Sequence, residues 1–390
     1  MIDSDAQQLL LDARSDELRR IKEAINQDRD LVVIGVTGSG RGELVEISAQ
    51  EAEAMTLKID CIKAVSLKSF LILFLKELLT ENSRNERLKK WFRLQDKDSF
   101  LSFLQKRDIE KFLILDSIRP LEDCGVTTSE EDKGKVSLKQ TLEELIDLLE
   151  DFLTSKHIRV VVFLKNFTHL FSWDRDNKFS EFLLSKIHLC PHISYALIAT
   201  YGEWESKELN HLKKDELDIE PIQLPYISRG SLRSWARAEL HANRIDSDDN
   251  GLDVFVDAVQ GHFGDALALV RRLQSLHAWD EKYKSAIKIN DFHVEKAVND
   301  LLKDLSVVFE TLLLLLPATQ VKLLESLAIN PTKSPHSKKY AEAHGLPRGG
   351  GIQNALEGLK KKGLIYPQEY EYRLALPTLA QWIKQSLEAG

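Results

Sequence analysis

The sequence predicts an α/β core on a parallel sheet, then an all-helical segment, then a compact module of three helices and a hairpin. Three observations predict it. Short β-branched runs alternate with amphipathic stretches as far as Pro225, the strand signal vanishes beyond it, and the pattern changes again after Pro317. Strands alternating with helices imply a parallel sheet, because a parallel connection needs a crossover long enough to hold a helix.

Taken in order, residues 5–27 carry Leu9, Leu10, Leu18, Ile21 and Ile25 among many charges and read as one or two amphipathic helices. LVVIG (31–35) is a buried strand running into glycine, and a helix follows from about Glu43. TLKID (56–60), KFLILD (111–116), RVVVFL (159–164), ISYALIAT (193–200) and IEPIQLP (219–225) read as further strands. Helical stretches at 67–81, 84–107, 138–153 and around 178–187 separate them. Residues 119–137 are polar and turn-rich, an expected exposed loop. Helices are expected at 228–241, 251–259, 263–277 and 290–316. The expected division is 1–225 for the α/β domain, 226–316 for the helical domain and 317–390 for the C-terminal module.

The 390 residues exceed one core, and 43% hydrophobic with 29% charged residues is the composition of a soluble globular chain. A net charge of −8 excludes a polycation that binds nucleic acid as a whole, so any such contact needs a local basic patch. The opening MIDSDAQQ lacks the basic-then-apolar pattern of an export signal, and the longest apolar runs, 70–75 and 312–316, are too short to cross a bilayer. Three dispersed cysteines, Cys61, Cys124 and Cys190, fit a reducing interior without a disulfide framework. The expected setting is cytoplasmic, with no membrane association.

The chemistry concentrates at Gly35-Val36-Thr37-Gly38-Ser39-Gly40-Arg41-Gly42, between a strand and a helix, which is the context of a phosphate loop. Glycines let backbone N–H groups approach phosphate oxygens, and the helix N-terminus adds positive potential. The full motif ends Gly-Lys-Ser/Thr. Arg41 keeps the charge but not the compact ammonium, Gly42 has no hydroxyl for Mg²⁺, and Glu43 sets a negative charge beside the cradle. Binding of Mg·ATP should therefore be weakened, and hydrolysis more so. The bland alternative is an ordinary glycine-rich turn.

In its order of motifs the chain resembles the AAA+/STAND ATPases, especially the archaeal-type ATPases and the origin-recognition ATPases. Asp12-Ala13-Arg14-Ser15-Asp16-Glu17-Leu18 resembles the family's "Gly-Arg-x-x-Glu-Leu" segment, which places Arg14 near the adenine by resemblance. RVVVFL-Lys165-Asn166 falls where the family has a strand ending in Asp-Glu, whose Asp orients hydrated Mg²⁺ and whose Glu activates water. Lys165 and Asn166 do neither. The strand ending at Thr200 matches the one bearing a polar sensor. Gly264-Asp265-Ala266-Leu267 resembles the lid signature "Gly-Asp-Ala-Arg", with leucine for the γ-phosphate arginine. All these losses fall on one chemistry, so the resemblance implies a pseudo-ATPase that holds ATP or ADP weakly, with Mg²⁺ doubtful. Asp116, also at the end of an apolar strand, is the alternative metal-orienting residue.

His188-Leu189-Cys190-Pro191-His192 groups three metal-type ligands, but no second pair lies nearby and a helix end is the simpler reading. After Pro317, VKLLESLAI (321–329), KKYAEAHGL (338–346), GIQNALEGLKKKGLI (351–365) and the hairpin LIYPQEYEYRLAL (364–376) resemble a winged helix-turn-helix. The closing LPTLAQWIK (376–384) resembles the archaeal-type tail "Asp-Pro-x-x-x-x-Trp-Leu". Between Pro331 and Lys362 the local charge is +5, from seven Lys/Arg and two Asp/Glu. Lys338, Lys339, Arg348, Lys360, Lys361 and Lys362 are candidate phosphate contacts, and Gln353 and Asn354 candidate base readers. A protein-binding winged helix is the competing reading.

The expected function is a non-hydrolysing scaffold or regulatory subunit of a larger complex of defence, mobile-element or replication type, with protein partners in a homo- or hetero-oligomer. The alternatives are an ATP-dependent switch completed in trans and a DNA-binding transcription regulator.

Overall fold

The computed structural model describes residues 4–84, 138–206, 209, 212, 219–280, 288–347, 350–368 and 371–389. Helices α1 (Ser4–Ala13) and α2 (Ser15–Asn26) precede β1 (Asp30–Ile34), α3 (Arg41–Glu51), β2 (Met55–Asp60) and α4 (Leu67–Arg84). Then come α5 (Leu138–Lys156), β3 (Val160–Lys165), α6 (Lys178–His188), β4 (Ile193–Ala199), the one-turn α7 (Tyr201–Trp204) and β5 (Ile219–Gln223). The five strands form one parallel sheet in the order β2-β3-β4-β1-β5. Of the expected strand at 111–116, the loop at 119–137 and the helix at 84–107, only Arg84 is among the described residues; Asp116 and Cys124 lie outside them.

The central strands β1, β3 and β4 are buried on both faces, which is why they read as unbroken apolar runs, whereas the edge strand β2 alternates buried and half-buried residues. In β3, Val160, Val162 and Leu164 enter one core with α4, α5 and α6, while Val161 and Phe163 enter a second core with α1, α2 and α3. β1 divides the same way, with Val32 and Ile34 on one side and Leu31 and Val33 on the other. Truncating such a fully buried residue, Phe163 for instance, should cost about 3–5 kcal/mol.

The helical segment comprises α8 (Arg229–Ala242), α9 (Asp249–Val259), α10 (Phe263–Asp280) and α11 (Asp291–Leu314). A two-residue parallel pair, β6 (Asp246–Ser247) with β7 (Lys288–Ile289), ties it together. Local chemistry starts these helices. Ser228 accepts the Ser231 N–H at α8, Asp248 the Gly251 N–H at α9, and Asn290 forms a capping box with His293 at α11. Trp235, Phe255 and Leu273 share the second core with Leu9, Leu31 and Val33, so this segment and the sheet bury one another. Along α11, Val294 and Ala297 still belong to that core, whereas Leu302 and Phe309 enter a third.

The third core is completed by α12 (Ala318–Ile329), α13 (Lys338–Ala343), α14 (Gly350–Lys361), the antiparallel hairpin β8 (Ile365–Gln368) and β9 (Glu371–Leu374), and α15 (Pro377–Ala389). Ser337 caps α13, and Gly363, at φ +68°, turns the chain from α14 into the hairpin. The C-terminal end of α14 rests on α7 so closely that a Cβ on Gly202 would overlap the Lys360 carbonyl group. Gly202→Ala should therefore push α14 off the sheet end, costing about 1–3 kcal/mol as overpacking does. Gly230→Ala in α8, with nothing within 4 Å of the added methyl, should leave stability unchanged or slightly raised. Thermal unfolding of the two variants checks both.

Candidate nucleotide site at the junction of sheet, lid and winged helix

The loop Gly35–Gly40 leaves the carboxyl end of β1, central in the sheet between β4 and β5, and opens α3. Gly38 at φ +77° and Gly40 at φ +84° take left-handed conformations that residues with a Cβ avoid. Space confirms the need. A Cβ on Gly38 would stand 2.8 Å from His262, and one on Gly40 would stand 2.9 Å from Leu10 and 3.2 Å from Phe263. Among the described residues, the N–H groups of Gly38, Gly40, Arg41 and Gly42 meet no backbone or side-chain acceptor. They form a row of free donors at a helix N-terminus, the arrangement that receives phosphate.

Ser39 is buried and its hydroxyl has no hydrogen-bond partner among the described residues. It lies 2.7 Å from where a Cβ on Gly35 would be, so it points across the loop between its two ends. The Arg41 side chain also folds back toward Gly35, its Cδ 3.5 Å from the same point. Burial pulls the Arg41 guanidinium below the ordinary arginine value, while the charges of Glu203 and Glu43, and Tyr201, pull it back. An arginine so placed stays charged.

β3 brings Lys165 to this corner from two strands away. A Cβ on Gly42 would meet Phe163 Cζ at 3.2 Å, Lys165 Cε at 3.5 Å and Lys165 Nζ at 3.6 Å. The ammonium lies 5.2 Å from the centre of the Phe163 ring, a cation–π distance. Asn166, at φ +53°, turns its amide away to donate to Asp60 at 2.9 Å. Thr200 spends its hydroxyl as the cap of α7, where it accepts the Glu203 N–H at 3.2 Å, and the Glu203 carboxylate accepts the Thr200 N–H at 2.7 Å. The methyl of Thr200 and the hydroxyl of Thr37 both face Gly363 of the C-terminal module. Arg14, at the break between α1 and α2, is 2% exposed and donates to Glu17 and to the Pro225 carbonyl. Its guanidinium is pulled down by burial and held up by Glu17 and Tyr201.

Two groups were not legible in the sequence as site residues. His262 and Gly264, just before and within the first turn of α10, grip the loop through its backbone: His262 Nε2 bonds the Thr37 carbonyl at 2.7 Å, and the Gly264 N–H donates to the Gly38 carbonyl at 2.9 Å. Asp265 of the same turn accepts the Thr378 N–H of α15 at 3.0 Å. Leu267, where the resemblance expects an arginine, is buried in the second core. Above Val36, Tyr201 stacks on Tyr366 with ring centres 5.7 Å apart, and Tyr226 meets Tyr366 at 5.1 Å. Tyr226 also donates to the Ala375 carbonyl at 2.9 Å. The loop is thus clasped by the lid on one side and by the C-terminal module on the other.

The candidate nucleic-acid residues divide. Lys338 and Lys339 on α13, and Gln353 and Asn354 on α14, are exposed, with Gln353 donating to Glu357 at 2.9 Å. The three lysines at 360–362, which close α14 and follow it, are engaged. Lys360 lies 3.7 Å from Glu205 and 5.0 Å from the Tyr372 ring centre, and Lys362 donates to Gln320 at 3.0 Å. Lys361 lines a cavity of about 440 Å³ with Asn166, Thr168, His169 and Glu203. Arg348 lies outside the described residues. Among the described residues no group of three His, Cys, Asp or Glu could hold a metal: His188 pairs with Asp30, and His192 with Glu150, each at 2.7 Å. Burial raises both described thiols, Cys190 to about 11. Nor, among these residues, is any helix long and apolar enough to cross a membrane.

Burial works against protonation of His262, but its contacts with Asp265 and the Thr37 carbonyl outweigh that and raise its pKa above the ordinary 6.5. A raised native pKa gives stability that is complete below about 6.5 and fades as pH climbs through the native value. The difference in unfolding temperature between the wild-type chain and His262→Gln should therefore be largest near pH 6 and shrink toward pH 9.

Residues 307–385 match the family described as "Probable winged helix domain". No curated protein matches. Among solved structures, the chain superposes on a Walker-type ATPase of Pyrococcus abyssi with TM-score 0.62, at 15% identity over 95% of each chain. It superposes on the ORC2 protein of Aeropyrum pernix, a structure of its ADPNP–ADP complexes, with TM-score 0.54, at 12% identity over 96% of this chain and 94% of that one. Sequence identity this low establishes architecture alone. The chain shares the P-loop ATPase fold of these structures over nearly its whole length, a parallel sheet followed by a helical segment, and carries a winged helix domain at residues 307–385.

Proposed function

We propose that this chain is a non-hydrolysing AAA+-type subunit that holds nucleotide without turning it over and acts as a scaffold or regulatory element of a larger assembly. One observation carries the reading: the corner where this fold handles metal and water presents Gly42, the Lys165 ammonium and an Asn166 amide committed to Asp60. Hydrolysis needs a hydroxyl and a carboxylate to hold hydrated Mg²⁺ and a second carboxylate to take a proton from water. A glycine, a lysine and an amide supply none of these, so Mg²⁺ does not fit the residues present. What remains fits a bound phosphate chain: free N–H donors, an unpartnered hydroxyl and a desolvated arginine. The ADPNP–ADP complexes of the Aeropyrum ORC2 protein support nucleotide as the ligand class. Purified protein should release no phosphate from Mg·ATP above background, and Arg41→Ala should not change that. Turnover by the wild-type chain that disappears in Arg41→Ala would overturn the proposal.

A second reading, DNA contact through the winged helix, is favoured by the exposure of Lys338, Lys339, Gln353 and Asn354 on α13 and early α14. The engaged lysines at the far end of α14 confine such contact to this end. Binding of a duplex should weaken about tenfold or more when Lys338 and Lys339 are both changed to Glu, and should fall steeply with salt. A gel-shift titration at two salt concentrations checks it; binding indifferent to the charge reversal would exclude this face.

A further inference from the structure

We propose that the loop at 35–42 binds a nucleotide's polyphosphate without a divalent cation, the Lys165 ammonium standing in for the metal. This rests on the nucleotide-holding part of the function proposed above and deepens it. The geometry begins with a matched pair. Gly42 carries no side chain, and the ammonium and last methylene of Lys165 lie 3.6 and 3.5 Å from where its Cβ would be. Any hydroxyl-bearing side chain at 42 would start in contact with Lys165, and Phe163 Cζ at 3.2 Å closes the other flank. The space in which a metal ligand would begin is walled by a fixed positive charge.

The charge count agrees. Arg41, folded toward Gly35, and Lys165, beside Gly42, bring two positive charges to the loop, the charge of one Mg²⁺, and neither pairs with a carboxylate within ion-pair distance among the described residues. The nearby acids are otherwise committed or held apart. Asp60 accepts the Asn166 amide and the Ile62 N–H, Glu203 is the partner in the α7 capping box, and Glu43 lies in the first turn of α3. Without the usual acidic pair at the end of β3, a metal-free phosphate chain meets less repulsion for a cation to relieve, and Arg41 faces the charges of Glu203 and Glu43 that remain. The free N–H row and the buried, unpartnered Ser39 hydroxyl aimed across the loop supply neutral donors for the remaining oxygens. Free ATP and ADP carry more negative charge than their magnesium complexes, so a site that brings its own cations prefers the free forms.

The test is calorimetric titration of the full chain with ATP, ADP and inorganic pyrophosphate, in EDTA and in excess Mg²⁺. The expected result is binding in EDTA at least as tight as in Mg²⁺. In EDTA, Lys165→Met should weaken it about tenfold or more. A double variant, Gly42→Ser with Lys165→Asp, should bind only when Mg²⁺ is present. Binding by the wild-type chain in Mg²⁺ alone, or an unchanged affinity in a folded Lys165→Met, would overturn the inference while leaving the nucleotide reading standing. No binding in either buffer would overturn both. If Lys165→Met does not fold, the wild-type comparison of the two buffers decides the matter.

Discussion

Everything at this site depends on how the backbone of a short glycine loop is held. The Thr37 and Gly38 carbonyls are taken by His262 and by the Gly264 N–H, and this commits the loop's oxygens to the lid. The Ser39 N–H donates to the Val36 carbonyl, while the N–H groups of Gly38, Gly40, Arg41 and Gly42 meet no acceptor among the described residues. A peptide unit has its donor and acceptor on opposite sides, so holding the Thr37 carbonyl on the lid aims the Gly38 N–H away from it, and the N–H groups of Gly40, Arg41 and Gly42 are free because they open a helix. The left-handed glycines at 38 and 40 make that reversal possible, and His262 and Phe263 occupy the room a side chain there would need. Lid, loop and sheet are one mechanical unit, and the shared second core, from Leu9 to Ala297, is its energetic counterpart.

Much of this was readable in the sequence, and the reasons are physical. β1, β3 and β4 are buried on both faces, so their apolar runs stand out, whereas β5, at the sheet edge with Pro221 within it, has a weaker apolar pattern. Helix starts at Ser228, Asp248, Asn290 and Ser337 announce themselves by the short polar side chains that satisfy free N–H groups. The loop was legible because glycine spacing is dictated by backbone geometry. What could not be read were relations between distant segments. Nothing local to Lys165 says that its ammonium reaches Gly42, since strand order decides that. Nothing local to His262 or Asp265 says that one holds residue 37 and the other residue 378.

The basic stretch of the C-terminal module shows the same limit. Composition weighed its lysines equally, as a net positive charge. The fold separates them, because the same helix that presents Gln353 and Asn354 to solvent buries its other end on α7, where Lys360 meets Glu205. A helix has two ends and a limited number of faces, and docking one end spends its charges locally.

Asp265 sits deep in the lid, yet the N–H that it accepts belongs to a helix more than a hundred residues further along the chain. A carboxylate so far from water is tolerable only while it is partnered, here by His262 at 3.1 Å and by the Thr378 N–H at 3.0 Å. Cutting the chain ahead of Pro377 would do more than remove a terminal helix. It would take away one of the two contacts that hold Asp265 and uncover Leu323 and Leu327 in the third core. The α/β core and its tail are therefore coupled, and the unit for expression, grafting or evolutionary shuffling is the two together.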